Sequence, residues 1–357
     1  MIKYLGSKKN LTAMISALCF HIKPDGTVID PFSGTGRVGL ALKAMGHKVI
    51  CGDHNHYAYT LGLCHVQADL KTYDTNDSGS VRAIIREMNN LPPASGYFTQ
   101  TFCEESRFFQ PSNGAIIDAA RDFVESLELN PEKKAVLVTS IIEAADKVDS
   151  TVGIQMAYLK SWADRANNKI EFLLPEMKTA QKNRCEAYHE DAVKLVKRTD
   201  ADIAYFDPPY NQHKYLGNYH IWETLSLWDK PATYGVAKKR IDCKDRTSDF
   251  NSKTKAKAAI ETLIKSCKAP HIVLSYNNEG HVTEDEIKAI LASARSELIV
   301  FAYDHKRHVG HKIGIFNQKG QKVGEESHAR TTEYMFLATD DKTVAARARR
   351  NMAQYLL

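Results

Sequence analysis

The spacing of apolar residues along the chain predicts three kinds of region. Thr27-Val28-Ile29-Asp30 is a short apolar run ending in a turn, the pattern of a buried strand. A helical stretch from Gly36 to Met45 follows, stopped by Gly46, and Lys48 to Gly52 reads as a second strand. Strand, helix and strand at this spacing form a βαβ unit and so a parallel sheet. From about Tyr73 to Asn183 the patterns turn helical. Asn130-Pro131 supplies a cap and a first-turn proline, and Leu137, Ile141, Ala144 and Val148 recur at helical spacing. Pro92-Pro93 and Pro111-Ser112-Asn113-Gly114 punctuate this region. Strands return at Arg184 to His189, Ile203 to Phe206 and Ile272 to Ser275. Leu298 to Tyr303 and Glu333 to Ala338 are β-like across a long polar connection, and predict an antiparallel hairpin at one sheet edge.

These elements give an α/β fold: a mostly parallel sheet with an antiparallel edge and a helical insertion. The expected division is a discontinuous domain over 1–72 and 184–340, an insertion over 73–183, and a basic helical tail over 341–357. No apolar run approaches the roughly 18 residues of a membrane-spanning helix, and the first residues lack a signal-peptide pattern, so a soluble cytoplasmic protein is expected. Seven cysteines, none in a C-x-x-C pair, suggest neither a disulfide framework nor a zinc ribbon. The chain carries a net +5, and the segment Lys238 to Lys257 alone carries as much. Its Lys238, Lys239, Arg240, Lys244 and Arg246 make a candidate contact for a polyphosphate backbone, against the alternative of a solvated face.

Two constellations carry chemistry. The first is Asp30-Pro31-Phe32-Ser33-Gly34-Thr35-Gly36, a strand entering a glycine-rich turn before a helix. Glycines let the backbone close on a ligand. Asp53, 19 positions after Gly34, can accept hydrogen bonds from ribose hydroxyls. Gly34, Gly36 and Gly39 with Asp53 also spell a dinucleotide fingerprint, so on this motif alone a nicotinamide dehydrogenase stays open.

The second is Asp207-Pro208-Pro209-Tyr210, directly after the strand Ile203 to Phe206. The lone pair of an adenine amino group is delocalised into the ring, so the nitrogen is a poor nucleophile. The Asp207 carboxylate and the Pro208 carbonyl can accept its two hydrogens and favour the reactive, pyramidal form. Two prolines hold the acceptors in place beforehand. Tyr210 can stack on the base, which must first leave the duplex.

On these motifs the chain resembles the D12 class of DNA adenine methyltransferases, the Dam-like enzymes, and above all their restriction-modification branch. Tyr4-Leu5-Gly6-Ser7-Lys8-Lys9 is similar to the N-terminal cofactor motif of that family, and the resemblance implies that Tyr4 and Lys8 lie against S-adenosylmethionine. Asp30 to Gly36 matches the cofactor loop, Asp53 the ribose-binding acid, and Asp207 to Tyr210 the catalytic motif. Glu190-Asp191-Ala192 resembles, more loosely, the position where an acid, Asp191, meets the cofactor adenine. Tyr215 to Thr224 and Leu274 to Gly280 are also similar, as is Tyr303 to Arg307, whose Lys306 and Arg307 become candidate DNA contacts.

The resemblance implies a Rossmann-like S-adenosylmethionine-dependent methyltransferase fold, an insertion that helps read the DNA sequence, and methyl transfer to a flipped adenine in double-stranded DNA. A monomer is expected. Three settings stay open: beside a cognate restriction endonuclease, on a phage or mobile element, or alone. Rival readings are an enzyme of the same fold acting on RNA base amino groups, the dehydrogenase, and a DNA-binding module without catalysis. His305, His308 and His311 stand among cations that oppose a metal, so no metal is expected.

Overall fold

The computed structural model describes residues 1–181, 184–306 and 330–356, without the side chains of 304–306, 330 and 331. The strands are β1 (Thr27–Asp30), β2 (Lys48–Asp53), β3 (Glu186–His189), β4 (Ile203–Phe206), β5 (Thr233–Tyr234), β6 (Lys239–Arg240), β7 (His271–Asn277), β8 (Glu297–Lys306) and β9 (Arg330–Thr339). Seven of them form one sheet in the order β3-β2-β1-β4-β7-β9-β8. β1, β2, β3, β4 and β7 pair in parallel, and β9 runs antiparallel between β7 and β8. The short β5 and β6 form a separate antiparallel ribbon.

The expected parallel sheet and antiparallel edge are both present. Successive strands run outward from β1 through β2 to β3, then restart at β4 and run the other way. The gap between β1 and β4 is therefore a topological switch point, where open α/β sheets bind ligands beyond the carboxyl ends of their strands.

Both faces of the sheet are covered, which is why β1 and β4 read as continuous apolar runs. On one face Leu18, Val28, Leu42, Tyr205 and Leu337 share a core with the helices Thr12–Ile22, Arg37–Ala44 and Lys342–Asn351. On the other, Ile29, Leu195, Ile260, Leu274 and Leu291 join the helices Ala192–Arg198, Ala256–Ser266 and Glu284–Ala294. A third core lies in the helical region and takes in Tyr57, Leu61, Trp222 and Leu225 from the helices His56–Gly62 and His220–Leu227. The helical region is thus packed against helices beside the strand ends.

Helices in that region stop at Val148, earlier than the apolar spacing predicts. Asp149, Ser150 and Thr151 are buried and hydrogen-bonded through side chains, and Gly153 takes φ +98°. Beyond them the chain is irregular apart from a short 3-10 turn, Asp164–Asn167. Among the described residues no helix is long and apolar enough to cross a membrane. All seven cysteines are buried and free.

Candidate active site

Three carboxylates meet at the switch point because three neighbouring strands end there: Asp30 closes β1, Asp53 closes β2 and Asp207 follows β4. They line a cavity of about 700 Å³, counted with its open mouth, together with Tyr4, Lys8, Phe32, Ser33, Gly34, Thr35 and Pro209. Gly34 and Gly36 have φ of +50° and +73°, a region costly for other residues, so the turn can fold back over β2. Gly36 lies behind the turn, at the start of the helix Arg37–Ala44, and does not line the cavity.

Asp53 is fixed by its neighbours. Its Oδ2 accepts the Gly34 N–H at 3.1 Å, and its Oδ1 accepts the N–H and side-chain amide of Asn55 at 2.9 and 3.2 Å. Burial first, and Asp207 second, push the Asp30 carboxyl up to about 8. Tyr4 stacks on Tyr219 and Tyr215 at centroid distances of 4.6 and 5.3 Å and donates or accepts at the Tyr57 hydroxyl, 2.9 Å away.

The catalytic motif forms a closed triangle with the N-terminal segment. The Tyr210 hydroxyl donates to Oδ1 of Asp207 at 2.6 Å, while Nζ of Lys8 donates to the Tyr210 hydroxyl at 2.7 Å and lies 3.0 Å from the same Oδ1. Burial alone would lower the pKa of Lys8, but Asp207 and Glu333 outweigh it and raise it, so the ammonium stays charged. The Tyr210 ring packs on Tyr276, with centroids 4.6 Å apart. Pro208 is buried beneath the motif.

The structure thus brings Tyr4, Lys8, Asp30, Phe32, Ser33, Gly34, Thr35, Asp53, Asp207 and Pro209 to one cavity, with Gly36, Pro208 and Tyr210 directly behind it, and leaves Asp191 outside it. That carboxylate caps the helix Ala192–Arg198, accepting from the N–H groups of Val193 and Lys194, and lines a neighbouring pocket that shares His54 and Ser248 with the main cavity.

The basic segment differs more sharply from expectation. Arg240 is only 3% exposed, with both Nη atoms on Asp229 at 2.7 Å and Nε on Asp242 at 3.1 Å. A buried, doubly paired guanidinium cannot meet a phosphate, so Arg240 is corrected from DNA contact to structural anchor. Arg246 points inward to Glu223, and Lys238 pairs with Glu105 at 2.6 Å. Lys239 lies against Met156, and Lys244 over the Tyr234 ring. Lys306 belongs to β8, with its side chain undescribed, and Arg307 and most of the histidine triplet lie outside the described residues.

Arg37, His54, Asn55, Tyr205 and Ser248 also wall the cavity. His54, beside Asp53, is legible as a loop residue near the cofactor, and Asn55 follows it directly. Nothing in the spacing of Ser248 marks it; it arrives because Phe250 packs edge-on against Phe32, with centroids 5.1 Å apart.

The lining tests what ligand fits. Three carboxylates face Lys8 and Arg37, and Lys8 is already paired with Asp207, a balance that suits a cation better than the pyrophosphate of a dinucleotide. Asp53 keeps lone pairs for hydroxyl donors, and Tyr4 offers an aromatic face. S-adenosylmethionine, with its sulfonium and ammonium charges, fits this donor set.

Comparison with known proteins agrees with this geometry. Residues 4–290 match the family described as D12 class N6 adenine-specific DNA methyltransferase. The type II methyltransferase M.NlaIII of Neisseria lactamica is 30% identical over 92% of this chain and 98% of its own length. M.FokI of Planomicrobium okeanokoites is 31% identical, and the modification methylase StsI of Streptococcus sanguinis 29%, over 82% and 81% of this chain. The chain spans only 47% and 46% of those two longer proteins.

Proposed function

Since the chain belongs to the D12 class of N6 adenine-specific DNA methyltransferases, we propose that the cavity at the β1–β4 switch point holds S-adenosylmethionine beside a pocket for one extruded adenine, in a restriction-modification setting. The relatives named as type II methyltransferases and modification methylases support that setting, with a cognate restriction endonuclease as the partner reading the same site. The observation that carries the reading is the meeting of Asp207 with Asp30 and Asp53 around one acidic cavity.

The residues would divide the work as follows. Asp53 accepts from the ribose hydroxyls, while Asp30 balances positive charge on the cofactor. Tyr4, Phe32, Ser33, Gly34 and Thr35 shape the walls. The bound cofactor supplies a methyl group on positively charged sulfur. Oδ1 of Asp207 is held by the Tyr210 hydroxyl, which orients the carboxylate and leaves an oxygen for the adenine amino group. The Pro208 carbonyl accepts the second hydrogen, and both acceptors sit on a rigid backbone before the base arrives. Tyr210 and Pro209 contact the base. Asp191 borders the adjoining pocket, on the side where the cofactor adenine would extend. Residues 73–183 contribute to reading the DNA sequence, and exposed Lys9 and Lys214 adjoin the cavity-lining Lys8 and Tyr215 in the chain.

Asp207→Ala tests the assignment. It should lower methyl transfer to DNA by at least about a hundredfold and leave S-adenosylmethionine binding within about twofold. Equal activity in the variant refutes the catalytic role, and transfer to RNA in preference to DNA refutes the substrate.

A further inference from the structure

The carboxylate that an adenine amino group needs is already held by a side chain of the protein itself. Nζ of Lys8 lies 4.7 Å from the centroid of the Tyr210 ring and 3.0 Å from Oδ1 of Asp207. It therefore sits at the hydroxyl edge of the ring, where it donates to the Tyr210 oxygen at 2.7 Å, and on the carboxylate meant for the amino group. The lysine is 7% exposed, so it does not reach this place by chance contact from solvent. Tyr210 accordingly does not line the cavity, although Asp207 and Pro209 do.

A second carboxylate waits beside it. Oε2 of Glu333, on β9, is 3.7 Å from Nζ of Lys8, beyond hydrogen-bond range, and is buried without any hydrogen-bond partner. A buried carboxylate oxygen left unmatched costs free energy, and Lys8 is the cation within reach.

We propose that Lys8 is a placeholder for the target base, occupying the pocket between turnovers and moving onto Glu333 when an adenine is extruded into it. Glu333 is then a positioning residue that acts through Lys8. The inference rests on the adenine-methylation reading above. The lysine stem is flexible and Glu333 is 3.7 Å away, so the move is a shift of the ammonium along its stem, not of backbone. The exchange also conserves charge: Asp207 keeps the Tyr210 hydroxyl and gains the amino group, while the ammonium passes from one carboxylate to another without crossing to solvent. Pocket opening becomes an equilibrium between two carboxylates, and base capture is weakened by the fraction of enzyme that remains closed.

The test uses a duplex carrying the site found by modified-base sequencing, with 2-aminopurine at the target adenine. Its fluorescence rises when the base leaves the stack. Glu333→Gln should keep Lys8 on Asp207, reduce that rise, and raise the KM for unmodified duplex about tenfold. Its kcat and its S-adenosylmethionine Kd should stay within about twofold. Adding Lys8→Met to Glu333→Gln removes the placeholder and should restore the rise, a rescue that a merely structural role of Glu333 would not produce. If Glu333→Gln matches wild type in fluorescence and KM, as it would if Lys8 retreats to the cofactor instead, the proposal is overturned. A double variant as dim as Glu333→Gln overturns it equally. Wild-type protein that methylates no DNA takes the proposal down with the reading on which it rests.

Discussion

Arg246 donates from Nη1 to Oε1 of Glu223 at 2.7 Å, and that glutamate side chain is fully buried. The same carboxylate accepts the N–H groups of His56 and Tyr57 at 3.1 and 2.8 Å, at the start of the helix His56–Gly62. Nη2 of Arg246 reaches the His54 carbonyl at 3.1 Å. Because His54 and Asn55 wall the cavity, Arg246 braces the cofactor site from a segment that charge alone would assign to DNA. Arg246→Met should strand a buried carboxylate. Since Arg246 is partly exposed, the cost should fall below the range for a fully buried pair, at about 2 kcal/mol. Melting temperature and S-adenosylmethionine affinity should both drop. A variant with native melting and cofactor binding but lost DNA affinity would return Arg246 to the DNA surface.

Arg240 leads to a parallel prediction. Removing a guanidinium held by Asp229 and Asp242 should destabilise the fold by about 2–4 kcal/mol, read by denaturant unfolding of Arg240→Ala. Exposed Lys253 offers the contrast. Lys253→Ala should leave stability within about 0.5 kcal/mol. If it contacts phosphate, the variant should lower the slope of log affinity against log salt by about one. Equal stability losses in the two variants would contradict the division.

These two arginines mark where the sequence stops being legible. β1, β2 and β4 could be read because burial on both faces leaves continuous apolar runs, and the acids at their ends could be read because each closes its strand. The antiparallel edge followed from two β-like runs across a polar connection. Charge along the chain was a poorer guide. Asp242, which both arginines meet, lies inside the basic segment, but Glu223 beside Arg246 and Asp229 beside Arg240 lie upstream of it and are brought to it by folding. Glu333 was hidden for a similar reason: it reaches Lys8 only because β9 inserts between β7 and β8. The early end of the helices at Val148 was missed because apolar spacing does not register the side-chain hydrogen bonds that hold Asp149 to Thr151.

The acidic cavity discriminates between cationic and anionic adenosine ligands. S-adenosylmethionine at a hundred times its Kd should stabilise the protein by about 2.7 kcal/mol, seen as a rise in melting temperature. NAD at the same concentration should give a much smaller shift, since its pyrophosphate would face Asp30, Asp53 and Asp207 with only Arg37 and Lys8, the latter already paired with Asp207, to offset them. Stabilisation by NAD alone would revive the dinucleotide reading of Gly34, Gly36 and Gly39.

Asp30 should make cofactor binding depend on pH. Its carboxyl is pushed up to about 8, mainly by burial, against about 3.9 in an unfolded chain. Between those values the folded, ligand-free protein holds a proton that the unfolded chain has lost, so this group lowers stability as pH rises from about 4 to about 8. The sign is opposite to that of a salt-bridged carboxylate. A cation placed beside Asp30 favours its ionised form, so binding S-adenosylmethionine should release a proton. Affinity should then tighten from about pH 6 to about pH 8, approaching tenfold per unit at most. Calorimetry in buffers of different ionisation enthalpy measures the proton released. Asp30→Asn should abolish the release and flatten the profile, and an unchanged profile in that variant would assign the titration to another group.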